Sequence, residues 1–295
     1  GAGQPGDIEY LANIAHPDVA LVNNIAPAHM ERMLSLQGIA ITKGAIYSAL
    51  ADTGIAVINA EDAFASYFAE LAGTRRIMRF GLVDAADIRG RVISTGATQH
   101  LAIVTPLGDI EVRLPLAGMH NARNALAATA AALAAGANLS HVQAGLEAAS
   151  AVSGRLKARA LSSGALLIDD SYNANPGSVR AAIDTLAELS GQRWLVLGDM
   201  AELGTDSASL HHDIGAYARE RGIERLCAVG PRSMDTCKGF GSSAEHFTDQ
   251  AALIEALKRG LHNGITLLIK GSRSSAMDRV VGALAGSITG DAHAA

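Results

Sequence analysis

The second half of the chain alternates short apolar segments with longer amphipathic ones. The apolar segments are ALLIDD, WLVLGD, RLCAVG and TLLIKG. The amphipathic segments predict helices near residues 176–189, 206–221, 248–259 and 274–286. Strands that alternate with helices of this length are typical of right-handed βαβ units and a parallel sheet. Ligands bind at the carboxyl ends of the strands in such sheets, so polar residues at those ends are the first candidates for a site.

The first half is less regular and predicts a mixed α/β fold. VALVNNI (19–25) and GIAVINA (54–60) are predicted strands, with a helix between them around 35–51. Residues 88–117 alternate in polarity and contain Gly90, Gly96 and Gly108, which favours antiparallel hairpins that turn at these glycines. Ala-rich helices are expected at 121–136 and 139–150. The boundary between the halves is predicted near residues 152–156, in the region of SGRLK (153–157), which gives domains 1–153 and 154–295.

Composition indicates a globular protein with no general affinity for polyanions. Hydrophobic residues make up 49% and charged residues 18% of the 295 residues, and the net charge is −5. Nucleic acid is therefore not an expected partner. No apolar run approaches the roughly 20 residues of a membrane span, so membrane insertion is not expected either. Two cysteines outside any CxxC pair fit a reducing compartment, and the expectation is a cytoplasmic monomer.

The segment LLIDDSYNANPGS (166–178) is the densest group of candidate ligand-binding side chains. Asp170 follows an apolar strand and is suited to accept hydrogen bonds from hydroxyls such as a ribose diol. Tyr172, Asn173 and Asn175 lie close behind it. Asp and Asn also build turns and cap helices, so a purely structural role stays open for each. Together these polar groups exceed what one helix cap needs, which favours a ligand site.

Two further segments of the second half carry basic residues. KGSRSS (270–275) sets Lys270, Ser272 and Arg273 at a predicted helix start, where charge and helix dipole suit a carboxylate or phosphate. Arg155, in GRL at the domain boundary, could reach a cleft between the domains or remain a surface residue.

Polar residues of the first half are also candidates for a ligand or metal site, each with a structural alternative. Asn23 and Asn24 follow the first strand, and His29 is either a metal ligand or a structural histidine. Lys43 is expected at the start of a helix in apolar surroundings, where burial would lower its pKa and allow carbamylation. A surface lysine is the alternative. Asn121 and Asn124 open the Ala-rich helix, and the Asn124 amide could match an adenine edge or form part of a polar helix face.

Several classes of catalytic site are absent from the sequence. It contains no HExxH, no GxSxG, no Cys/His metal spacing and no GxxxxGK[ST] phosphate loop. His211 and His212 are adjacent and cannot share one face of a helix, which argues against a metal pair.

Taken in order, the polar segments resemble the Mur ligases, and in particular their dipeptide-adding branch. The segments that carry the resemblance are NNIAPAHMERM, ITKGAIYSAL, GIAVINAED, GMHNARNALAA, GRL, IDDSYNANPGS, LVLGDMAELG, LHHDIG and IKGSRSSAMDRVV. The resemblance runs from residue 1 to about 285. It implies a partial central ATPase domain followed by a Rossmann-like C-terminal domain. The family's phosphate loop and magnesium-binding Glu would lie upstream of Gly1, so the chain is expected to lack the N-terminal part of its central domain.

The resemblance also implies a reaction. Mur ligases form an amide bond with ATP and Mg²⁺: a carboxylate attacks the γ-phosphate, and an amine displaces phosphate from the acyl phosphate. For this branch the implied substrates are UDP-N-acetylmuramoyl-tripeptide and D-alanyl-D-alanine, in peptidoglycan synthesis. A sister amide ligase, such as folylpolyglutamate synthase, and a non-catalytic binding module are the alternatives.

Roles for individual residues follow from the same resemblance. Lys43, as a carbamate, and His29 would hold magnesium, and Arg155 would contact the phosphates as a third catalytic residue. The implied nucleotide-binding residues are Asn121, Asn124, Arg155, Asp170, Tyr172, Asn173 and Asn175. The implied substrate-binding residues are Asn23, Asn24, Lys270, Ser272 and Arg273.

Overall fold

Two six-stranded sheets organise the chain, one in each of two units. The structure is a computed structural model that describes residues 3–26, 30–96, 98–150 and 152–286, with the side chains of Met30 and Glu31 outside the description. Unit 1 comprises Gly1–Ser150 and unit 2 comprises Ala151–Ala295. None of the described helices is both long and apolar enough to cross a membrane.

Unit 1 has a mixed sheet with the strand order β1-β2-β3-β4-β5-β6. Its strands are β1 (Val19–Val22), β2 (Ile55–Asn59), β3 (Arg76–Gly81), β4 (Ile88–Ser94), β5 (Gln99–Thr105) and β6 (Gly108–Leu114). Its helices are α1 (Asp7–Ala15), α2 (Met30–Met33), α3 (Leu36–Ser48), α4 (Ala65–Ala72), α5 (Met119–Ala134) and α6 (Leu139–Glu147). Strands β1 to β4 are parallel, and β4, β5 and β6 pair antiparallel.

Helices cover both faces of this sheet. On one face, Tyr47 of α3 and Phe68 of α4 pack over β1 and β2. On the other face, the Ala-rich helix α5 packs over the middle of the sheet, with Leu126 among its buried residues. A Cβ on Gly90 would lie 2.8 Å from the Leu126 side chain, so only glycine lets α5 approach β4 this closely. The prediction of a turn at Gly90 is therefore wrong, because this glycine lies inside a strand.

Unit 2 has the strand order β11-β10-β9-β12-β8-β7, in which only β7 and β8 pair antiparallel. Its strands are β7 (Lys157–Ala160), β8 (Leu166–Asp170), β9 (Gln192–Gly198), β10 (Arg225–Val229), β11 (Ala244–Phe247) and β12 (Ile265–Lys270). Its helices are α7 (Pro176–Ala187), α8 (Ser207–Glu220), α9 (Met234–Phe240), α10 (Gln250–Gly260) and α11 (Asp278–Ala285), with single 3₁₀ turns at Gly204–Asp206 and Arg273–Ser275.

Strand β12 is the central element of unit 2, and all of its residues are buried. Alternate side chains of β12 enter two apolar cores, Leu267 and Ile269 on one side of the sheet and Leu268 on the other. The parallel register pairs Lys270 with Asp170 and Ile269 with Asp169. The polar residues that end β12 and β8 are therefore held side by side by the sheet itself.

The predicted α/β class, with mostly parallel sheets, is confirmed. The four apolar segments of the second half are strands β8, β9, β10 and β12, and the predicted helices between them are present within a few residues. The prediction for Lys43 needs correction, because this residue lies in the middle of α3 rather than at its start. The pattern did not identify α1, α2, α4, α9, β3, β7 and β11.

Candidate functional site

A network of asparagine side chains lies at the carboxyl ends of β1 and β2 in unit 1. Asn59, the last residue of β2, donates from Nδ2 to the Asn23 carbonyl oxygen at 3.0 Å. Asn23 in turn donates from Nδ2 to Oδ1 of Asn124, in the second turn of α5, at 2.8 Å. These bonds tie the segment after β1 to both the end of β2 and the start of α5.

The network continues along α5. Asn124 donates to Oδ1 of Asn121 at 3.3 Å, and Asn121 donates to the Ala117 carbonyl at 2.7 Å. Asn124 thus uses both ends of its amide within the protein. An amide group still has a second N–H and a second lone pair to offer, so a base edge bound here would share Asn124 with its neighbours.

Lys43 lies beside this network on α3. Its Nζ donates to the Asn24 carbonyl oxygen at 3.4 Å. Burial lowers the pKa of Lys43, and the nearby Asp62 carboxylate counteracts this effect. A lowered pKa increases the fraction of neutral amine, which is the form that reacts with carbon dioxide to give a carbamate. His29, the other predicted metal ligand, lies outside the described residues.

Two acidic residues that the sequence analysis did not select, Glu61 and Asp62, follow the end of β2 after one intervening residue. Asp62 accepts from the Ile25 backbone N–H at 2.7 Å and from Phe64 N–H at 2.9 Å. Glu61 accepts from Leu82 N–H at 2.8 Å and from the Arg123 guanidinium at 3.2 Å. These two residues could have been selected from the sequence, because an acidic pair follows the apolar strand β2 much as Asp169 and Asp170 end β8.

In unit 2, a buried ion pair joins the carboxyl ends of β8 and β12. Lys270 Nζ donates to Asp170 Oδ2 at 2.6 Å and to the Asn173 carbonyl oxygen at 2.7 Å. The two side chains are only 4% and 13% exposed. Burial raises the pKa of Asp170, and the Lys270 ammonium counteracts this effect. Two of the three N–H donors of the Lys270 ammonium are thus used within unit 2, which leaves one for a substrate carboxylate.

Asp169, the neighbour of Asp170, is hydrogen-bonded to Gly154 and Ser171. Its carboxylate accepts from Gly154 N–H at 3.0 Å, from Ser171 N–H at 3.2 Å and from Ser171 Oγ at 2.6 Å. A Cβ on Gly154, whose φ is +76°, would lie 3.1 Å from the Tyr172 backbone nitrogen. Asp169 therefore holds the Gly154 segment against the end of β8, where a side chain at residue 154 would not fit.

The two predicted asparagines of this segment differ in their roles. Asn175 is the N-cap of α7, where its Oδ1 accepts from Ser178 N–H at 2.8 Å in a full capping box with Pro176 at the first helical position. The capping alternative is therefore realised for Asn175, although its amide N–H groups remain able to donate. Asn173 folds back locally and accepts from Ala174 N–H at 2.9 Å.

Tyr172 is exposed, and two arginine side chains lie beside its ring. The ring is 47% exposed, and the guanidinium carbons of Arg155 and Arg273 lie 4.7 and 5.4 Å from its centroid. Both distances fall within the range of cation–π contacts. Ser272 is buried instead, with its Oγ 3.1 Å from Ser274 Oγ and 3.0 Å from Ser275 Oγ. The 3₁₀ turn that follows β12 thus exposes Arg273 and buries Ser272.

Sequence profiles of two domains match the two units. The Mur ligase middle domain matches residues 1–132, and the Mur ligase glutamate ligase domain matches residues 154–273. The chain belongs to the Mur ligase family. Within that family, it is 44% identical over 291 residues to UDP-N-acetylmuramoyl-tripeptide–D-alanyl-D-alanine ligase of Escherichia coli K12, and 38% identical over 287 residues to the ligase of the same name from Haemophilus influenzae.

Solved structures of Mur ligases agree with this assignment. A crystal structure of MurF from Acinetobacter baumannii superposes with a TM-score of 0.90 at 34% identity, covering 97% of this chain and 63% of that one. MurF from Thermotoga maritima, solved in complex with ADP, has the same fold, with a TM-score of 0.83 at 24% identity. The alignment with the E. coli ligase covers 96% of this chain and 64% of the relative's length.

The candidate residues selected from the sequence form separate groups in the two units. In unit 1 it brings together Asn23, Asn24, Lys43, Asn121 and Asn124. In unit 2, Asp170, Asn173 and Lys270 form one contact group, and Arg155, Tyr172 and Arg273 form another. Among the described residues, no three His, Cys, Asp or Glu side chains form a metal cage. Magnesium does not need one, because it is commonly held by one or two protein ligands, water and substrate phosphates.

Proposed function

We propose that this chain carries the ATP-binding and C-terminal parts of a ligase that joins D-alanyl-D-alanine to UDP-N-acetylmuramoyl-tripeptide in peptidoglycan synthesis. The observation that carries the proposal is the 44% identity, across 96% of this chain, with a ligase of that name. The strand-end groups of both units supply the chemistry that such a reaction needs. Amides suited to a base lie in unit 1, and a carboxylate suited to a ribose lies in unit 2 beside exposed arginines.

The proposed reaction has two steps. A carboxylate oxygen of the tripeptide attacks the γ-phosphorus of ATP, so that ADP leaves and an acyl phosphate forms. The amine of D-alanyl-D-alanine then attacks the acyl carbon, the C–O bond to phosphate breaks, and the amine loses a proton. In this scheme Arg155 contacts the phosphates and Asp170 contacts the ribose. Asn124, supported by Asn121, reads the adenine edge.

Lys270 acts on the nucleotide indirectly in this proposal. Its ammonium holds Asp170 and the Asn173 carbonyl in place through the bonds of 2.6 and 2.7 Å. Tyr172, Asn173 and Asn175 line the nucleotide or dipeptide side of unit 2. Arg273 and Ser272 lie toward the dipeptide carboxylate, with Arg273 as the exposed member of the pair.

Magnesium would be held on the side of unit 1. The donors proposed for it are a carbamate on Lys43 and His29, completed by water and phosphate oxygens. The lowered pKa of Lys43 and the contact of Nζ with the Asn24 carbonyl support this role for Lys43. Bound magnesium would neutralise part of the phosphate charge during transfer. Asn23 and Asn24 shape this side of the site and would contact substrate.

The requirement for ATP is consistent with a cytoplasmic protein, which we propose to act as a monomer. A test joins the chain to the part of the E. coli relative that it does not cover. Phosphate release is then measured with ATP, UDP-N-acetylmuramoyl-tripeptide and D-alanyl-D-alanine. We expect release that depends on both substrates. Release with a different amino acid or peptide would instead support a sister amide ligase, and nucleotide binding without any release would support a binding module.

Lys43→Ala in the same chimera tests the carbamate. We expect activity to be lost and not to return with added bicarbonate, because alanine offers no amine to carbamylate. Lys258→Ala, at an exposed lysine of α10 outside the proposed site, is the matched control and should leave activity unchanged. Full activity of Lys43→Ala would rule out the carbamate.

A further inference from the structure

We propose that unit 2 contains an oxyanion-binding subsite formed by Arg159, Arg273 and Arg279, separate from the Asp170–Lys270 pair. These arginines line a cavity of about 540 Å³ between the Gly154 segment, β7 and α11. The cavity is large enough for a dipeptide or for the phosphates of a nucleotide. Its charged side chains are the three arginines together with Asp169 and Asp278.

Arg159 provides the main argument. It lies on the edge strand β7, its side chain is half-buried, and its Nε is buried without a hydrogen-bond partner among the described residues. A buried cationic donor without a partner is costly, and native structures normally supply an acceptor. Among the described residues the Arg159 side chain forms no hydrogen bond or ion pair, so its guanidinium can turn toward an acceptor that enters the cavity it lines.

In the part of the chain that the structure describes, the acidic residues that line the cavity do not pair with its arginines. The Asp169 carboxylate already accepts from Gly154 N–H, Ser171 N–H and Ser171 Oγ. Within the described part of the chain, neither Arg279 nor Asp278 forms a salt bridge, and Arg273 contacts the Tyr172 ring rather than a carboxylate. The lining thus carries an excess positive charge with guanidinium donors available.

The geometry of guanidinium groups defines the ligand class. Arginine binds carboxylates and phosphates through two parallel N–H···O bonds, which gives both strength and orientation. Two sources of such a group follow from the proposed function: the terminal carboxylate of the incoming dipeptide and a phosphate of the nucleotide. The choice of these two sources rests on the proposed function, whereas the existence of the subsite does not.

Calorimetric titration of the 295-residue chain distinguishes the sources. D-alanyl-D-alanine is compared with its C-terminal amide, and ADP is compared with adenosine. We expect at least one charged ligand to bind roughly tenfold or more tightly than its uncharged counterpart, as expected for charge-assisted bonds. A preference confined to the dipeptide identifies the carboxylate, and one confined to ADP identifies the phosphate. Equal affinity within both pairs would overturn the proposal.

Substitutions then assign the binding to this cavity. Arg159→Lys keeps the charge but removes Nε and the planar fork, and Arg279→Gln removes the charge of a second lining residue. Each is expected to weaken the charged ligand roughly tenfold. Arg259→Gln, at an exposed arginine of α10 outside the cavity, is the matched control and should leave the affinity unchanged.

Fluorescence of Trp194, which is the only tryptophan and lies in β9, checks that each variant folds. Unchanged affinity in both folded cavity variants would place the binding elsewhere and overturn the proposal. This outcome is independent of the ligase assay. A chain that shows no ligase activity can still lose affinity on Arg159→Lys, and an active ligase can be insensitive to it.

Discussion

The polar groups at the strand ends of the two units are built in different ways. In unit 1 the cluster is held by neutral amides, from Asn59 through Asn23 to Asn124, and its lysine, Lys43, donates to the Asn24 backbone carbonyl. In unit 2 the cluster is held by a buried ion pair in which Lys270 and Asp170 are almost fully enclosed. The same location in two similar sheets is thus occupied by groups with very different electrostatic costs.

This difference separates residues that hold the fold from residues that remain available to a ligand. Breaking a buried ion pair strands a charge in a medium of low polarity, which costs several kcal/mol. A partly exposed amide or amine can instead exchange a protein partner for water or a ligand at little cost. Lys270 and Asp170 should therefore dominate the stability of unit 2, whereas Lys43 should matter mainly for chemistry.

Lys270→Met gives the largest expected effect. It removes the cation beside Asp170 and leaves the Asn173 carbonyl without its donor. We expect the free energy of unfolding of unit 2 to fall by about 3–5 kcal/mol, measured by urea denaturation with Trp194 fluorescence. Lys258→Met is the control, because this lysine is exposed and its pair with Glu255, at 3.5 Å, lies on the surface.

The double variant Asp170→Leu/Lys270→Met sharpens this prediction. Since it removes both charges, it should recover most of the stability that Lys270→Met loses. A loss for Lys270→Met as small as for Lys258→Met would show that the ion pair does not hold the strand ends together.

Tyr47→Phe tests unit 1 at a neutral group that is as buried as the ion pair. The Tyr47 hydroxyl accepts from Val22 N–H at 2.9 Å and donates to the Val57 carbonyl at 2.8 Å, bridging β1 and β2. Phenylalanine would leave both backbone groups unpaired, so we expect a loss of about 2 kcal/mol. A urea titration followed by far-UV circular dichroism should show a lower unfolding midpoint for unit 1. The unfolding midpoint of unit 2, measured by Trp194 fluorescence, should not change.

Tyr10→Phe is the matched control, because the Tyr10 side chain is 69% exposed. A common shift of both transitions in Tyr47→Phe would mean that the two units unfold together.

His211 gives unit 2 a smaller, pH-dependent contribution. The fully buried ring accepts from Met200 N–H at Nε2, at 3.0 Å, and Nδ1 lies 2.7 Å from the Ser207 carbonyl oxygen. Burial lowers the pKa of His211. The unfolded chain therefore binds a proton at a higher pH than the folded one. Stability from this group is complete above the ordinary histidine pKa and decreases as pH falls through the lowered folded-state pKa.

The measurement is the urea midpoint of the Trp194 signal between pH 7.5 and 5. His211→Gln should show a shallower decrease than the native chain, whereas His212→Gln, at an exposed neighbour, should keep the native slope. Equal slopes for the native chain and His211→Gln would contradict the assignment.

Sequence pattern was sufficient for the elements whose residues are continuously apolar. Strands β8, β9, β10 and β12 were predicted because buried parallel strands are short apolar runs. Strand β3, with Arg76 and Arg79 among its six residues, and β11, with four residues, carry too little periodic signal to be recognised. Their strand conformation is imposed by pairing with neighbouring strands.

The candidate site was predictable in location but not in its partnerships. The sequence shows that Asp170 and Lys270 each end an apolar strand, and residues that end parallel strands share one edge of a sheet. That these two side chains bind each other depends on β8 and β12 being neighbours, although they are 100 positions apart. Strand order is a property of the whole sheet, so Lys270 could be selected as a ligand residue without its internal partner being apparent.

Lys43→Met is the smallest expected effect and the most direct test of the contrast between the units. The substitution is the same as at Lys270, but among the described residues Lys43 Nζ has one hydrogen bond, the 3.4 Å contact with the Asn24 carbonyl, and burial already lowers its pKa. Methionine fills a similar volume without a desolvated charge, so the stability of unit 1 should change by less than about 1 kcal/mol, as for a long amphipathic side chain replaced by an apolar one. Far-UV circular dichroism with urea measures this change. A loss as large as that for Lys270→Met would show that Lys43 is part of a structural ion pair with Asp62, and the lysine would then be too constrained for the carbamate role.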